Sequence, residues 1–444
     1  MKLSFRASTL AFALLATACG SGTIDTSGGN NDNGGNGSGQ LSTSASFATA
    51  TTTLNAFALG GDFPPEIAIP KANGMQSTAF IANFSPAGVI AVDLNSNPLK
   101  ISEQFATLDV STVPEAAFPN HVRVISTTSA FLLGGGGMIY YNPTSGAIFG
   151  KVNLTAPIEL SEALPLSGPC DYDFDTVAET EVGPGPFSPN FAADLQIIGN
   201  RAFVSMGSSC FDSGFNSFYV QGLVLVYDIN NQPPFLTPAS TPYIVLSGFN
   251  ATGLSVAGGK LIATSTGDTA LGLAGSTPET ASFLDEIDPQ ALAVTRTLEM
   301  GNVALNFQPL AISADAKLGF IGSSAFSELY EIDLQNFTAL RGESNPIQVS
   351  DDESDFLSDQ EITEGGKLLF VSSFNRSAVN AVDLSSSERT VLPTTLDFAF
   401  PDNPGLTGAG PMAIRPGIPS QDFKGPDLFV LTSSPGTVST ATTY

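Results

Sequence analysis

The chain has 444 residues, of which 42% are hydrophobic and 13% charged, so it can bury a large core. Acidic residues number 42 against 16 basic ones, for a net charge of −26. A surface this negative repels nucleic acid and anionic lipid headgroups, so no nucleic-acid partner is expected, and the low charge content is unlike that of a disordered acidic tail.

At the N-terminus, "MKLSFRASTLAFALLATACG" places Lys2 and Arg6 before an apolar run from Ala7 to Leu15 and small residues ending at Cys19. Residues 1–18 therefore read as a secretory signal, too short to span a bilayer as a stable helix. Leu15, Ala16, Thr17, Ala18 and Cys19 resemble the lipobox of bacterial lipoproteins, with Ala16 where that family usually carries Leu. The resemblance implies cleavage before Cys19, which would carry the acyl chains, and a membrane partner reached through the N-terminal lipid. It implies a cell-envelope address. Gly20 is similar to the residue of lipoproteins passed to an outer membrane, with the periplasmic or the exposed leaflet left open. An ordinary cleaved signal with an incidental Cys is the alternative.

Residues 19–43 are dominated by Gly, Asn, Ser and Thr, with too little apolar surface to offset the entropy of ordering. They read as a tether spanning about 25 Å as a random coil. With Cys19 acylated, Cys170 and Cys210 remain in an exported chain, and an even remainder of two suits one disulfide. Two free thiols or a metal pair are the alternatives.

Residues 44–444 carry a recurring unit: an apolar strand, a polar turn, and a second strand ending near an Asp, as in "KLLFVSSFNRSAVNAVDL". Seven copies are legible, six of them closing at Asp93, Asn142, Asp228, Asp288, Asp333 and Asp383 and the last running to the C-terminus. A further short strand precedes six of the copies, as in "HVRVIS", "ADLQII", "TGLSVA" and "DQEITE". No window shows sustained helical periodicity, and 44 Gly with 30 Pro punctuate the chain at hairpin intervals. Four-stranded blades repeat every ~40 to 50 residues. The expectation is an all-β fold, a seven-bladed β-propeller of four-stranded antiparallel blades. A ring must not leave open edges, so residues 44–57 are expected to supply the outer strand missing from the last copy.

The repeats resemble the YVTN-type and lactonase-like seven-bladed propellers of bacteria, in which a "G-K-x-x-(F/Y)-V-x-(N/S)" strand leads through a turn to "V-x-V-(I/V)-D". The resemblance covers roughly residues 60–444. It implies the fold, on which binders, surface proteins and a few enzymes are all found.

Candidate chemistry is sparse. His121 is the sole histidine, at the entrance to a predicted innermost strand. Lactonase-like propellers hold a metal with Glu, Asn and Asp at inner-strand ends, and comparable positions here are Asn120, His121, Asn190, Asn250, Gln308 and Asp359. That set is mostly amides, suited to hydrogen bonding a polar ligand at the channel mouth, and no residue is assigned a catalytic role. Asp171, Asp173 and Asp175 alternate in "CDYDFD" and could turn three carboxylates toward Ca²⁺, or simply share a solvated face. "DDESD" at 351–355 is a solvated acidic loop or a second cation site. "GGGG" at 134–137 is a hairpin turn, since neither a helix nor Lys-Ser/Thr follows. Asp93, Asp228, Asp288, Asp333 and Asp383 are expected to cap turns.

These readings favour a lipid-anchored, monomeric binding scaffold for an envelope protein, a glycan or a small ligand. The alternative is a metal-dependent lactonase or hydrolase with its site at the channel mouth.

Overall fold

In the computed structural model, residues 48–53 and 66–442 are described, the latter with breaks of which the longest are 269–277, 398–408 and 416–427. The signal, Cys19 and the tether lie outside the described residues. Among the described residues, all regular structure is β except a 3-10 turn at Pro114–Ala116.

Six blades are cut from consecutive antiparallel strands. Their inner strands are Glu66–Ala68, Pro119–Ser126, Ala192–Ile198, Ala251–Ala257, Ala311–Ile312 and Leu357–Ile362 in blades 1 to 6. Blades 2, 3, 4 and 6 have four strands, whereas blades 1 and 5 have a divided outer edge. In blade 1, Lys100–Ile101 and Leu108–Asp109 both pair with Ala87–Asp93, and in blade 5, Thr338–Arg341 and Ile347–Gln348 both pair with Glu328–Asp333.

The expected seven equivalent four-stranded blades are thus corrected to six. The seventh motif copy does not form a blade from its own stretch of chain. Ala409–Ile414, Leu428–Thr432 and Thr437–Thr442 form a three-stranded remnant, and Ala48–Thr53 from the other end of the chain adds to Thr437–Thr442 as the fourth strand, in register from Ala48↔Thr442 to Thr53↔Thr437. The physical reason is that the free edge of Thr437–Thr442 would otherwise leave a row of N–H and C=O groups unpaired, and Ala48–Thr53 pairs with it. The mixed sheet closes the ring: Met412, Leu428 and Val430 pack on blade 6, and Ala413, Phe429 and Leu431 on blade 1.

The ring is held by apolar layers between blades. A large side chain recurs at one register of the second strand: Phe80, Phe131, Phe203, Phe320, Phe370 and Phe429, all below 2% exposed. Ile262 takes the place in blade 4, opposite Ser255 as Phe370 is opposite Glu361. Burying a Phe side chain contributes about 1.5–3 kcal/mol, so this layer alone is a major part of the core. Outer strands face solvent on one side, and Ala293–Gly301 alternates exposed and half-buried along most of its length.

Turn chemistry follows the Asp at the end of the third strand. Asp93, Asp288, Asp333 and Asp383 each accept backbone N–H groups of the following turn at 2.8–3.0 Å, among them those of Asn95, Gln290, Gln335 and Ser385. Asp228 departs from this, pairing with Arg201 Nε at 3.2 Å. Gly135 and Gly136 make the hairpin turn of blade 2.

Between blades 2 and 3 the chain builds a cover of small hairpins: Ile158–Leu160 with Gly185–Phe187, and Leu164–Cys170 with Glu179–Val182. Cys170 is disulfide-bonded to Cys210, which ties this cover to the Ser209–Phe211 hairpin of blade 3. Leu160, Leu164, Val182 and Phe187 extend the blade 2–blade 3 core outward.

Deleting residues 48–53 should expose the edge of Thr437–Thr442 and cost roughly 1 kcal/mol per ladder hydrogen bond lost. A thermal melt is expected to shift several degrees lower and to broaden. A truncated chain that melts like the parent would show that the ring does not depend on this strand.

Candidate functional site

Polar side chains of the inner strands reach across blade junctions. Asp194 on the inner strand of blade 3 accepts Leu195 N–H at 2.6 Å and, from blade 4, Leu254 N–H at 2.7 Å. Asp359 in blade 6 repeats the device, accepting Gln360 N–H at 2.7 Å and Met412 N–H of the closing sheet at 2.6 Å. Glu66 in blade 1 accepts Val122 N–H of blade 2 at 2.5 Å. Gln360 donates to Pro309 O at 2.7 Å and accepts from Asn306 Nδ2 at 2.6 Å, joining blades 5 and 6. Ser255 Oγ donates to Leu310 O at 3.3 Å between blades 4 and 5.

Charge is concentrated where blades 1, 2 and 3 meet. Arg123 forks between Glu66 Oε1 and Asp194 Oδ1, the latter at 2.7 Å. His121 Nδ1 lies 3.4 Å from Glu66 and 3.6 Å from Asp194. Asp194 is 0% exposed, His121 5% and Asp359 6%, so these junction side chains are closed off from solvent.

Ionisation follows from burial set against these charges. Burial opposes ionisation of Glu66, but Arg123 and His121 overcome it and hold the carboxyl at about 2. Burial opposes protonation of His121, yet Glu66 and Asp194 outweigh it and raise the imidazole. Asp194 is raised by burial, with Arg123 and His121 only partly compensating. Asp359 is raised well above the carboxylate range by burial and by neighbouring Glu361. Glu361 itself is pushed up to about 7, mainly by burial, against the pull of Lys71.

The six positions read from sequence as a ligand set lie on one end of the ring, at or just before the inner strands. Asn120 Nδ2 donates to Ala192 O of blade 3 at 2.6 Å. Asn190 exchanges two hydrogen bonds with Ser209, at 2.9 and 3.0 Å. Asn250 is fully buried, and its carbonyl accepts Thr266 N–H at 3.0 Å. Gln308 N–H donates to Asn306 Oδ1 at 3.2 Å. His121 and Asp359 belong to the junctions described above. Sequence reading missed Glu66, Arg123, Asp194, Gln360 and Glu361. Polar residues in "HVRVIS", "ADLQII" and "DQEITE" carried the signal, since a strand placed at the axis can bury them only if each finds a partner.

At the same end, four strand-entry residues adopt left-handed backbone: Phe118, Phe191, Asn250 and Ala304, with φ between 49° and 59°. Their carbonyls accept N–H groups of Gly135, Gly207 and Thr266, each directly after a second strand, and of Ser324, two residues after one. An L-residue in this region costs about 1–2 kcal/mol, here offset by the recurring hydrogen bond. Phe118 and Phe191 are 43% and 40% exposed, so this end presents aromatic rings beside amides.

Of the acidic loops, Asp171 and Asp173 are joined by Glu179, with carboxylate oxygens within 4.8 Å of one another, whereas Asp175 lies outside the described residues. Glu179 was invisible as a partner because it arrives on the return strand, paired with Cys170. In the 351–355 loop, Asp351 and Asp352 are exposed, while Asp355 is buried and thereby pushed up to about 6.

No protein-family model matches the chain, and no curated protein matches it in sequence. Solved structures do. The hydrazine synthase of Kuenenia stuttgartiensis matches with a TM-score of 0.51 and 13% identity, covering 84% of this chain and 93% of that one. The Cps50 (Swd1) β-propeller domain of Myceliophteria thermophila matches with a TM-score of 0.50 and 10% identity, covering 86% and 96%. At such identities the likeness defines the class, a β-propeller, and nothing narrower. The comparisons do not support the YVTN-type or lactonase-like families in particular.

Two outcomes follow. Arg123→Met should destabilise the protein by about 3–5 kcal/mol in a denaturant titration, because Glu66 and Asp194 would be left buried without their counter-charge. Adding Glu66→Gln should restore part of that loss, and an Arg123→Met protein as stable as the parent would contradict the network.

Stability should also be greatest in mild acid. Glu361 and Asp355 have raised folded values, so their contribution is full below the unfolded carboxylate range and is lost as pH rises toward about 7 and about 6. His121, also raised, loses its contribution as pH climbs through its folded value. Glu66 acts oppositely, its contribution present above about 4.5 and lost as pH falls toward about 2. Melting temperature is expected to peak near about pH 5 and decline toward about pH 8, and Glu361→Gln should flatten that decline.

Proposed function

We propose that this chain is a lipid-anchored β-propeller of the bacterial cell envelope that acts as a binding scaffold for an envelope protein, a glycan or a small ligand. The observation that carries the reading is the commitment of the axial carboxylates. Asp194, Asp359 and Glu66 each accept a backbone N–H from the neighbouring blade or sheet, so these carboxylates hold the ring together. A metal-dependent hydrolase at the channel mouth would need such carboxylates turned toward a cation and an open position for water. Recognition instead falls to the connections at the inner-strand entries, where Phe118 and Phe191 stand exposed beside Asn120 and Asn190. The anchor rests on the lipobox-like run ending at Cys19 and on the polar tether that follows.

Feeding cells an alkyne-tagged fatty acid should label the protein and hold it in the membrane fraction. Cys19→Ala should abolish both the label and the retention. Crosslinking on intact cells with mass spectrometry should return neighbours attached to these connections. An unlabelled wild-type chain would end the anchoring part, and crosslinks confined to the chain itself would end the scaffold part.

A further inference from the structure

We infer that a cleft between blades 4 and 5 recognises an organic cation, a primary ammonium or guanidinium group. This rests on the binding-scaffold reading and gives it a ligand chemistry. Asn302, Val303, Phe326, Glu328 and Glu343 line a cavity of about 170 Å³, the size of such a headgroup with a short stem. The lining comes from three places: Asn302 and Val303 after the outer strand of blade 4, Phe326 and Glu328 at the head of blade 5's third strand, and Glu343 between the two halves of its outer edge.

The cleft offers acceptors and an aromatic side chain. Glu328 is fixed by the Tyr330 hydroxyl, which donates to its Oε2 at 2.7 Å. Asn302 donates through Nδ2 to Pro278 O at 3.0 Å, which turns its nitrogen to the protein and leaves its oxygen as an acceptor. Gly301, at φ +84°, lets Glu343 lie against the backbone, where a Cβ would collide with its Oε2. Among the described residues neither Glu328 nor Glu343 is in an ion pair. The arginines nearby are spent elsewhere, Arg296 of blade 4 on Glu286, and Arg341 of blade 5 and Arg389 of blade 6 on Glu331. Burial first, then the charges of Glu328 and Glu343, drive the Tyr330 phenol well up, so both carboxylates act on one locus.

A lining of acceptors selects a ligand that only donates. Ammonium has three donors and no acceptor, guanidinium five in a plane. Phe326 adds an attraction specific to organic cations, which lie on an aromatic face. A hard divalent ion would want six to eight oxygens, and two carboxylates with one amide beside a phenyl ring do not supply them. The chain's net charge of −26 steers cations inward from a distance. The same group can arrive on a small free amine or as the Lys or Arg side chain of a partner protein.

The test uses the full-length protein in detergent micelles, titrated calorimetrically with butylammonium and methylguanidinium, and separately with a Lys- and Arg-containing peptide and its acetylated, citrulline-substituted counterpart. Saturable binding of the cationic probes is expected, falling with salt and weakened about tenfold or more by Glu343→Gln and by Phe326→Leu, with melting temperature unchanged. Gly301→Ala should weaken binding by displacing Glu343 while leaving it charged. A peptide that outbinds the free amines assigns the site to a partner side chain, and equal affinity assigns it to small amines. The inference is overturned if Glu343→Gln binds like the parent, if no cationic probe binds, or if only Ca²⁺ produces heat. Cellular crosslinks that persist with a silent cleft would sink this inference alone. Cation binding without cellular neighbours would instead sink the scaffold role.

Discussion

The fold depends on one constraint: a polar group brought to the axis of the ring must find its partner on the next blade. Inner strands are crowded together there, and an unpaired buried carboxylate or amide costs about 1–3 kcal/mol or more. Asp194 and Asp359 meet the constraint in the same way, one oxygen on their own strand and the other on the next. Each bond of this kind fixes the offset between adjacent blades, which apolar packing alone leaves free to slide. Arg123 does the same for three blades at once, because its planar fork reaches Glu66 on one side and Asp194 on the other.

Around that polar hub the apolar layers do the bulk stabilisation. The recurring Phe of the second strand sits one strand out from the axis, opposite residues as different as Ala68, Arg123, Gln196 and Glu361. Core identity is thus nearly uniform, Ile262 of blade 4 being the exception, while hub identity varies from blade to blade. Specific junctions make the blades non-interchangeable, which favours one order of closure over others. The closing sheet needs the same specificity from another source, and it comes from pairing the two ends of the described chain, Ala48–Thr53 on Thr437–Thr442.

Much of the scaffold was legible because it is local. An apolar strand, a tight turn and a second apolar strand lie within twenty residues, so "KLLFVSSFNRSAVNAVDL" reveals Leu368–Ser373 and Ala378–Asp383 directly. The blade count was less so, since a motif copy records two strands and not whether they complete a blade, yet the expectation that residues 44–57 supply the last outer strand is met by Ala48–Thr53. The hub was hidden for a related reason. Glu66 and Val122 are 56 residues apart, Arg123 and Asp194 71, and Asp359 and Met412 53. Nothing in the local pattern of "ADLQII" says that its Asp will meet an Arg from the previous blade. His121 was noticed for its rarity, yet its neighbours Glu66 and Asp194 define its chemistry, and neither was singled out. The Cys170–Cys210 pair was legible from counting cysteines once the chain was expected to be exported and Cys19 to be acylated, since that expectation leaves two thiols.

A hub that uses its carboxylates for cohesion has a consequence for where recognition can occur. The inner-strand entries of the blades face the axis at one end of the ring. Here that end is built from left-handed knuckles at Phe118, Phe191, Asn250 and Ala304, whose carbonyls are tied to the second strands. Such knuckles hold the surface rigid, and rigid surfaces recognise by shape and chemistry already in place rather than by closing over a substrate. Variation is then left to the long connections: the disulfide-tied cover over blades 2 and 3, and the divided outer edges of blades 1 and 5. The cleft beside Glu343 exists because blade 5's edge is divided, since an unbroken outer strand would carry residue 343 in its ladder and not across the junction to blade 4.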